Sequence, residues 1–344
     1  FTIIMSNLNL LKIFKIFNCE TSGKINEDII ILLQEWNLIP KSGEYKCPRG
    51  HNLKVVSRND TIDGFVWRCR EKCSVRNQKA TKCNYQVSMR KNTFFEKSHL
   101  SIFKIVALSY LCLQHTTQSF IMSELEISRH TIVDWSNFCR EVIYDGLVAN
   151  KVKIGGVGVE VEIDESKFGK RKYHRGHAVE GQWVFGGVER GTNKCFLVPV
   201  EKRDKTTLLN IIKEWILPGT TIISDCWKAY DCLNEEGYVH FKINHSINFK
   251  DPETHQHTNT IEGLWRHAKF SLPQYHRKKD FIGGYLAKYM FLKQIKNKND
   301  ALIEFFKLAG HLYNANVPIN VEQNLSDDNS DTDDNEETDD NIVY

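Results

Sequence analysis

Three carboxylates, far apart along the chain, have the chemistry and local setting of ligands for divalent cations. Asp164 follows an alternating apolar and polar run that begins at Val157, and Asp225 follows a second β-rich run at 220–224. Glu262 is predicted to lie in the first turn of a helix. Mg²⁺ prefers oxygen ligands, and two such ions about 3.5 to 4 Å apart stabilise both oxygens of a phosphoryl displacement. The three residues are therefore candidate ligands for Mg²⁺ or Mn²⁺.

Each carboxylate also has a purely structural explanation. An aspartate at a strand end is usually a turn residue or a helix N-cap, and Glu262 can pair with Arg266 one helical turn further on. Taken singly, each carboxylate is explained better in this way than by catalysis. A catalytic interpretation therefore depends on the elements and motifs around these residues.

The periodicity around the three carboxylates predicts a mixed α/β domain. Three strands, a helix and a fourth strand precede Asp225, and a helix, a short strand and three longer helices follow it. The expected strands are 157–163, 182–188, 194–200, 220–224 and 239–243, and the expected helices are 204–217, 227–236, one opening at 258, 281–296 and 301–314.

A separate group of possible metal ligands lies near the N-terminus, in the form of Cys47, His51, Cys69, Cys73 and Cys83. Zn²⁺ takes four sulfur or nitrogen ligands in a tetrahedral arrangement, and two short knuckles separated by a β-rich loop can supply them. Cys47, His51, Cys69 and Cys73 are the first choice, with Cys83 as the alternative fourth ligand. The competing explanation is a surface histidine with small buried cysteines.

Four segments give the chain a resemblance to Merlin-type DDE transposases and their bacterial insertion-sequence relatives. They are IDESKFGKRKY at 163–173, QWVFGGVER at 182–190, PGTTIISDCWKAY at 218–230 and HTNTIE at 257–262, and the resemblance covers roughly 45–313. It implies an RNase H-like core with Asp164, Asp225 and Glu262 as the metal-binding triad. It also implies a zinc-ribbon-like module before that core, and contacts of His257 and Asn259 with phosphate or with Glu262.

A basic segment directly follows Asp164. Runs of charge are usually solvated, but a run attached to a metal-binding aspartate is well placed to hold phosphates. The candidate DNA-binding residues here are Lys167, Lys170, Arg171, Lys172 and Arg175.

A helix-turn-helix is predicted between residues 119 and 142. Its second helix would begin near Ser128 and offer Arg129, His130 and Thr131 to a major groove. Plain packing of a three-helix bundle would give the same apolar periodicity.

The charge distribution favours a polyanionic partner. The formal net charge is +3, but residues 326–344 carry nine acids and no Lys or Arg, which leaves 46 basic against 34 acidic residues elsewhere. Lys12 and Lys15 interrupt the apolar N-terminal stretch, which argues against a signal peptide or a membrane span. We therefore expect a protein that is not secreted, nuclear in a eukaryote and otherwise cytoplasmic.

Together these features predict five regions and one activity. The regions are an N-terminal helical segment at 1–40, a zinc-ribbon-like module at 41–98, a helix-turn-helix module at 99–150, a catalytic domain at 151–317 and an acidic, disordered tail at 318–344. The resemblance implies a transposase that cleaves double-stranded DNA at the ends of an element and joins the 3′-OH to target DNA, acting as a homo-oligomer. The alternatives are a nuclease without strand transfer and a catalytically silent DNA-binding protein.

Overall fold

The computed structural model describes residues 8–17, 24–73, 81–114, 116–169, 181–243, 258–273 and 279–315. In chain order the helices are α1 Leu10–Phe17, α2 Glu27–Glu35, α3 Ile102–Leu113, α4 Gln118–Leu125, α5 Arg129–Ala149, α6 Lys205–Trp215, α7 Asn259–Ser271, α8 Ile282–Gln294 and α9 Ala301–Leu312. The strands are β1 Lys54–Ser57, β2 Phe65–Arg68, β3 Lys72–Cys73, β4 Thr81–Lys82, β5 Gln86–Ser88, β6 Ile154–Gly155, β7 Glu160–Phe168, β8 Gln182–Glu189, β9 Cys195–Val200, β10 Ile216–Leu217, β11 Thr221–Asp225 and β12 Val239–Ile243.

The central sheet has five strands in the order β12-β11-β7-β8-β9. β7, β8 and β9 pair antiparallel, whereas β11 and β12 run parallel to β7. Helix α6 covers one face, where Trp215 stacks on Phe196 of β9, and α7 and α8 lie on the other face. The chain is thus a mixed α/β protein with helices on both faces of a mixed sheet, and the predicted β-β-β-α-β order is confirmed.

Two expectations about this sheet are wrong in detail. Strand β7 continues through Asp164 to Phe168, because the antiparallel pairing with β8 extends to Gln182. Asp164 therefore lies inside a strand and not at its end. The expected helix 227–236 is reduced to a short 3-10 turn, Lys228–Tyr230, followed by further turns.

A polar cap begins α5 where the sequence predicted it. The Ser128 side chain accepts a hydrogen bond from the backbone N–H of Thr131 and begins α5. Glu126 adopts the left-handed conformation (φ 50°) and ends α4, so only a tight turn separates α4 from α5. Two helices joined by a tight turn fit both a helix-turn-helix and plain packing in a helical bundle. No helix in the described ranges combines the length and the apolar character needed to cross a membrane.

The buried side chains form two hydrophobic cores. One lies between the central sheet and α6, α7 and α8. The other joins the N-terminal helices and the small β-rich module to α9, whose Phe306 stacks on Trp36 and whose Phe305 packs edge-on against Phe94. The C-terminal helix therefore completes the core of the N-terminal half.

Candidate functional site

Asp164 and Asp225 lie on neighbouring parallel strands. The register pairs Ile223 of β11 with Glu162 of β7, so two residues further on Asp225 lies level with Asp164. Side chains alternate along a strand, and both aspartates therefore project from the same face. This is the face that α7 covers.

Helix α7 is attached to β7 by three hydrogen bonds in a regular ladder. The backbone N–H of Ile261 donates to Glu162 Oε2 (2.9 Å), the Trp265 indole N–H donates to Asp164 Oδ2 (2.9 Å), and Lys269 Nζ donates to the Ser166 hydroxyl (2.7 Å). Two residues along a strand advance about 6.6 Å and four along a helix about 6 Å, so the two elements match step for step. The ladder places the first turn of α7, which carries Glu262, beside Glu162 and the second turn beside Asp164.

Glu162 anchors this ladder from within the core. Its side chain is fully buried, and Arg190 Nε donates to its Oε1 (2.6 Å) while the same arginine pairs with Glu160 (2.6 Å). A buried carboxylate needs both charge compensation and hydrogen bonds, and Glu162 has both. Its role is to hold α7 in place.

The three candidate ligands interact electrostatically. The pKa of Asp164 is raised to about 6, chiefly by burial and also by the negative charges of Asp225 and Glu262, whereas the hydrogen bond from Trp265 opposes the shift. Asp225 Oδ1 accepts a hydrogen bond from the backbone N–H of Trp227 (3.2 Å). Glu262 is exposed in the first turn of α7. The fold thus gathers three carboxylates that repel one another.

A fourth carboxylate, Glu165, lies beside them on the opposite face of β7. Its side chain is only 6% exposed, and its Oε1 has no hydrogen-bond partner among the described residues. Burial raises the pKa of Glu165 to about 8, helped by Asp164 and Asp225 and opposed by Arg203. Neither Glu165 nor Trp265 is among the site residues predicted from the sequence. The available signals were two adjacent acids within one strand and a tryptophan three residues after Glu262.

The second candidate centre is a compact group of Cys47, His51, Cys69 and Cys83. Their potential ligand atoms all lie within 4.8 Å of one another, and His51 Nδ1 is 3.5 Å from Cys47 Sγ and 3.7 Å from Cys69 Sγ. In the described ranges this is the only group of three or more such side chains close enough to hold a metal, so the three acidic residues are spaced more widely. The side chain of Cys73 lies outside the described residues.

Local structure explains how the knuckle at Cys47 forms. The N–H of Gly50 donates to the carbonyl of Cys47 (2.8 Å), and Gly50 has a φ of +80°, which favours glycine. The N–H of Cys47 in turn donates to the carbonyl of His51 (2.9 Å). Burial raises the pKa of the Cys47 thiol, but hydrogen bonds with the amides of His51 and Arg49 and with the side chains of Cys69 and Cys83 lower it, and the net pKa is lowered.

The candidate DNA-binding residues fall into three groups. Arg129 and His130 are exposed at the start of α5, where the hydroxyls of Thr131 and Ser128 lie 2.9 Å apart. Asn259 is exposed at the start of α7, and Lys167 projects from the face of β7 opposite Asp164. The remaining candidates lie outside the described residues and are Lys170, Arg171, Lys172, Arg175 and His257.

Comparison with known proteins shows what this region is similar to. Residues 151–292 match the family model of the ISXO2-like transposase domain. An uncharacterized transposase-like protein of Haemophilus influenzae is 37% identical over 82 residues, 24% of this chain and 65% of the relative. Male abnormal protein mab-31 of Caenorhabditis elegans is 28% identical over 209 residues, 56% of this chain and 47% of the relative. The matches span less than two thirds of either relative.

Solved structures of transposase complexes are also similar, but only weakly. A pre-cleavage Mos1 transpososome has 10% identity and a TM-score of 0.25, over 61% of this chain and 78% of that chain. A Mos1 strand transfer complex has 11% identity and a TM-score of 0.25, over 61% and 75%. Scores this low carry no argument about this chain. The match of residues 151–292 to the family model does, and it confirms the resemblance to DDE transposases.

Proposed function

We propose that the chain is a DNA transposase whose central sheet is an RNase H-like core with Asp164, Asp225 and Glu262 as its catalytic, metal-binding carboxylates. The observation that carries the proposal is the meeting of these residues from two parallel strands and one helix. If each residue served only as a turn or cap residue in its own element, the three residues would not need to lie close together. The family of residues 151–292 supports the same activity.

The three residues fit divalent cations by ligand type and by charge. Carboxylate oxygens are the ligands that Mg²⁺ and Mn²⁺ prefer, and mutual repulsion among three nearby anions is offset by a bound cation. When bound, such ions supply activation of water or a 3′-OH and neutralisation of charge in the transition state. Trp265 orients Asp164 and the Trp227 amide orients Asp225, so the protein contributes a fixed arrangement of ligands.

We propose zinc for the group of Cys47, His51, Cys69 and Cys83. Zn–S bonds of about 2.3 Å and Zn–N bonds of about 2.0 to 2.1 Å in tetrahedral geometry separate sulfur and nitrogen ligands by about 3.6 Å. The two distances to His51 Nδ1, 3.5 and 3.7 Å, match that value. In this assignment Cys83, and not Cys73, is the fourth ligand, and the metal is structural because all four positions are filled by protein.

The DNA partner would be held by separate surfaces. Arg129, His130 and Thr131 would read the terminal repeats from the start of α5, and the basic residues at 167–175 would hold backbone phosphates of element or target DNA. His257 and Asn259 flank the start of α7 and would act beside Glu262. A homo-oligomer would bring two element ends together.

The test is a strand-transfer assay with matched element ends. Asp225→Asn removes one carboxylate charge at nearly constant volume, so it should abolish cleavage and joining while the melting temperature stays near that of the wild type. Asp231→Asn is the matched control, because Asp231 is an exposed residue whose ion pair with Lys242 contributes little.

Three outcomes discriminate the alternatives. Wild-type cleavage with Asp225→Asn contradicts the assignment of the triad. Cleavage without joined products by the wild type indicates a nuclease. Tight binding of an element end without any cleavage indicates a silent DNA-binding protein.

A further inference from the structure

A cluster of two tryptophans and an arginine lies next to the carboxylates but is not explained by them. The guanidinium carbon of Arg203, in the loop before α6, lies 3.6 Å from the centroid of the Trp183 ring and 5.6 Å from that of Trp227. Lys167 Nζ lies 5.7 Å from the Trp183 ring. Two cations thus lie beside one aromatic side chain where β7 ends and β8 begins.

Arg203 is held in place without using its hydrogen-bonding groups. Its nearest acidic atom is Glu165 Oε2 at 4.0 Å, which is too far for a hydrogen bond. Within the described part of the chain none of its N–H groups makes a hydrogen bond, and 40% of its side chain is exposed. Stacking fixes the guanidinium group while its coplanar N–H donors make no hydrogen bond. These donors can therefore bind an external anion that offers two acceptor oxygens.

The cluster is joined to the candidate active site through the backbone. Trp227 follows Asp225 by two residues, and its N–H bonds to the Asp225 carboxylate. Lys167 and Trp183 pair across β7 and β8, on the face of the sheet opposite Asp164. An anion bound by Arg203 would therefore lie around the C-terminal end of β7 from the three carboxylates.

We propose that Arg203, clamped between Trp183 and Trp227 and assisted by Lys167, binds a phosphodiester group of the DNA strand that passes the active site. This inference rests on the proposed function, because it takes its ligand from the same DNA. A phosphodiester fits better than an isolated carboxylate, since Lys167 adds a second positive charge that a continuous polyanion can use. The clamp is a positioning device that fixes the path of the backbone and takes no part in bond breaking.

The experiment measures binding of a short fluorescein-labelled duplex of random sequence by fluorescence anisotropy, between about 50 and 200 mM salt. Loss of one phosphate contact should lower the slope of log K against log salt by about 0.9 and weaken binding about eightfold near 0.1 M salt. Arg203→Gln should show this loss. Arg203→Lys keeps the charge and should retain the slope with weaker binding, because the fork is lost.

Lys202→Gln is the matched control, since Lys202 is exposed in the same loop and has no ring contact among the described residues. It should keep the wild-type slope. Three results would overturn the clamp while leaving the transposase proposal intact. They are a wild-type salt slope for Arg203→Gln, equal losses of DNA affinity for Arg203→Gln and Lys202→Gln, and wild-type affinity for Arg203→Lys. Failure of the wild type to bind any duplex would overturn both. Melting temperatures confirm that each variant is folded at the assay temperature.

Discussion

Gly186 allows the close approach of α7 to the sheet, and an added methyl group there should loosen the candidate site. Gly186 pairs with Asp164 across β7 and β8. A Cβ at this position would lie 2.7 Å from Trp265 Cη2 and 2.8 Å from Leu197 Cδ2. Ordinary carbon contacts are about 3.5 to 4.0 Å, so each neighbour would have to move by roughly 1 Å.

The expected cost of Gly186→Ala is the cost of overpacking, about 1 to 3 kcal/mol. We expect the upper half of that range, because the Trp265 ring is restrained by its hydrogen bond to Asp164 and by an edge-on contact with Phe168. At about 2 to 4 °C for each kcal/mol, the melting temperature should fall by roughly 4 to 12 °C. Displacement of Trp265 should also reduce DNA cleavage.

The assay is thermal unfolding of Gly186→Ala beside Gly263→Ala. Gly263 is helical, in α7 itself, and a Cβ there meets nothing within 4 Å. Both variants reduce the entropy of the unfolded chain alike, and Gly263→Ala should stabilise the helix by up to about 1 kcal/mol. If Gly186→Ala unfolds at or above the wild-type temperature, the close contact between Trp265 and β8 is wrong. The hydrogen bond by which Trp265 of α7 orients Asp164 would then be wrong as well.

Two further predictions concern the other ionisable groups. Cys83→Ser should remove the bound zinc from the purified protein whereas Cys73→Ser should retain one ion per chain, as measured by elemental analysis; the reverse result would make Cys73 the fourth ligand. Because the folded-state pKa of Glu165 is raised to about 8, the stability associated with its protonated form is complete below its unfolded pKa of about 4.5 and is lost as pH rises through about 8. In metal-free protein, Glu165→Gln should therefore melt progressively higher than the wild type between about pH 5 and about pH 9, and a constant difference would show that Glu165 does not titrate in this range.

The sequence predicted the order of the elements well, because their signals are local. Alternating apolar residues marked β7, and Ser128 marked the start of α5 through its bond to Thr131. It also placed the four metal-binding candidates in one module. The choice of Cys83 depends on the antiparallel pairing of β3 with β4, which brings Cys83 close to Cys69, and spacing alone does not encode that pairing.

The features that the sequence missed are set by tertiary contacts. The sequence alone did not reveal that Glu162 is fully buried, because that burial depends on α7, which covers its face of the sheet, and on Arg190, which compensates the charge. The expected helix at 227–236 is largely absent, because Tyr230 and Leu233 are drawn into the sheet core through a series of turns. Glu165 is likewise approached by Arg203, at 4.0 Å, which is distant from it in sequence.

The packing of α9 into the core of the N-terminal half affects how the protein folds during its synthesis. Its Phe305 and Phe306 complete a core whose other members include Trp36 and Phe94. Helix α3 ends at residue 113 and α9 begins at residue 301. At about 5 to 20 residues per second, a ribosome needs roughly 10 to 40 seconds to make the intervening chain. During that interval the nascent N-terminal half exposes an aromatic surface, which makes it a natural client for chaperones that bind apolar segments.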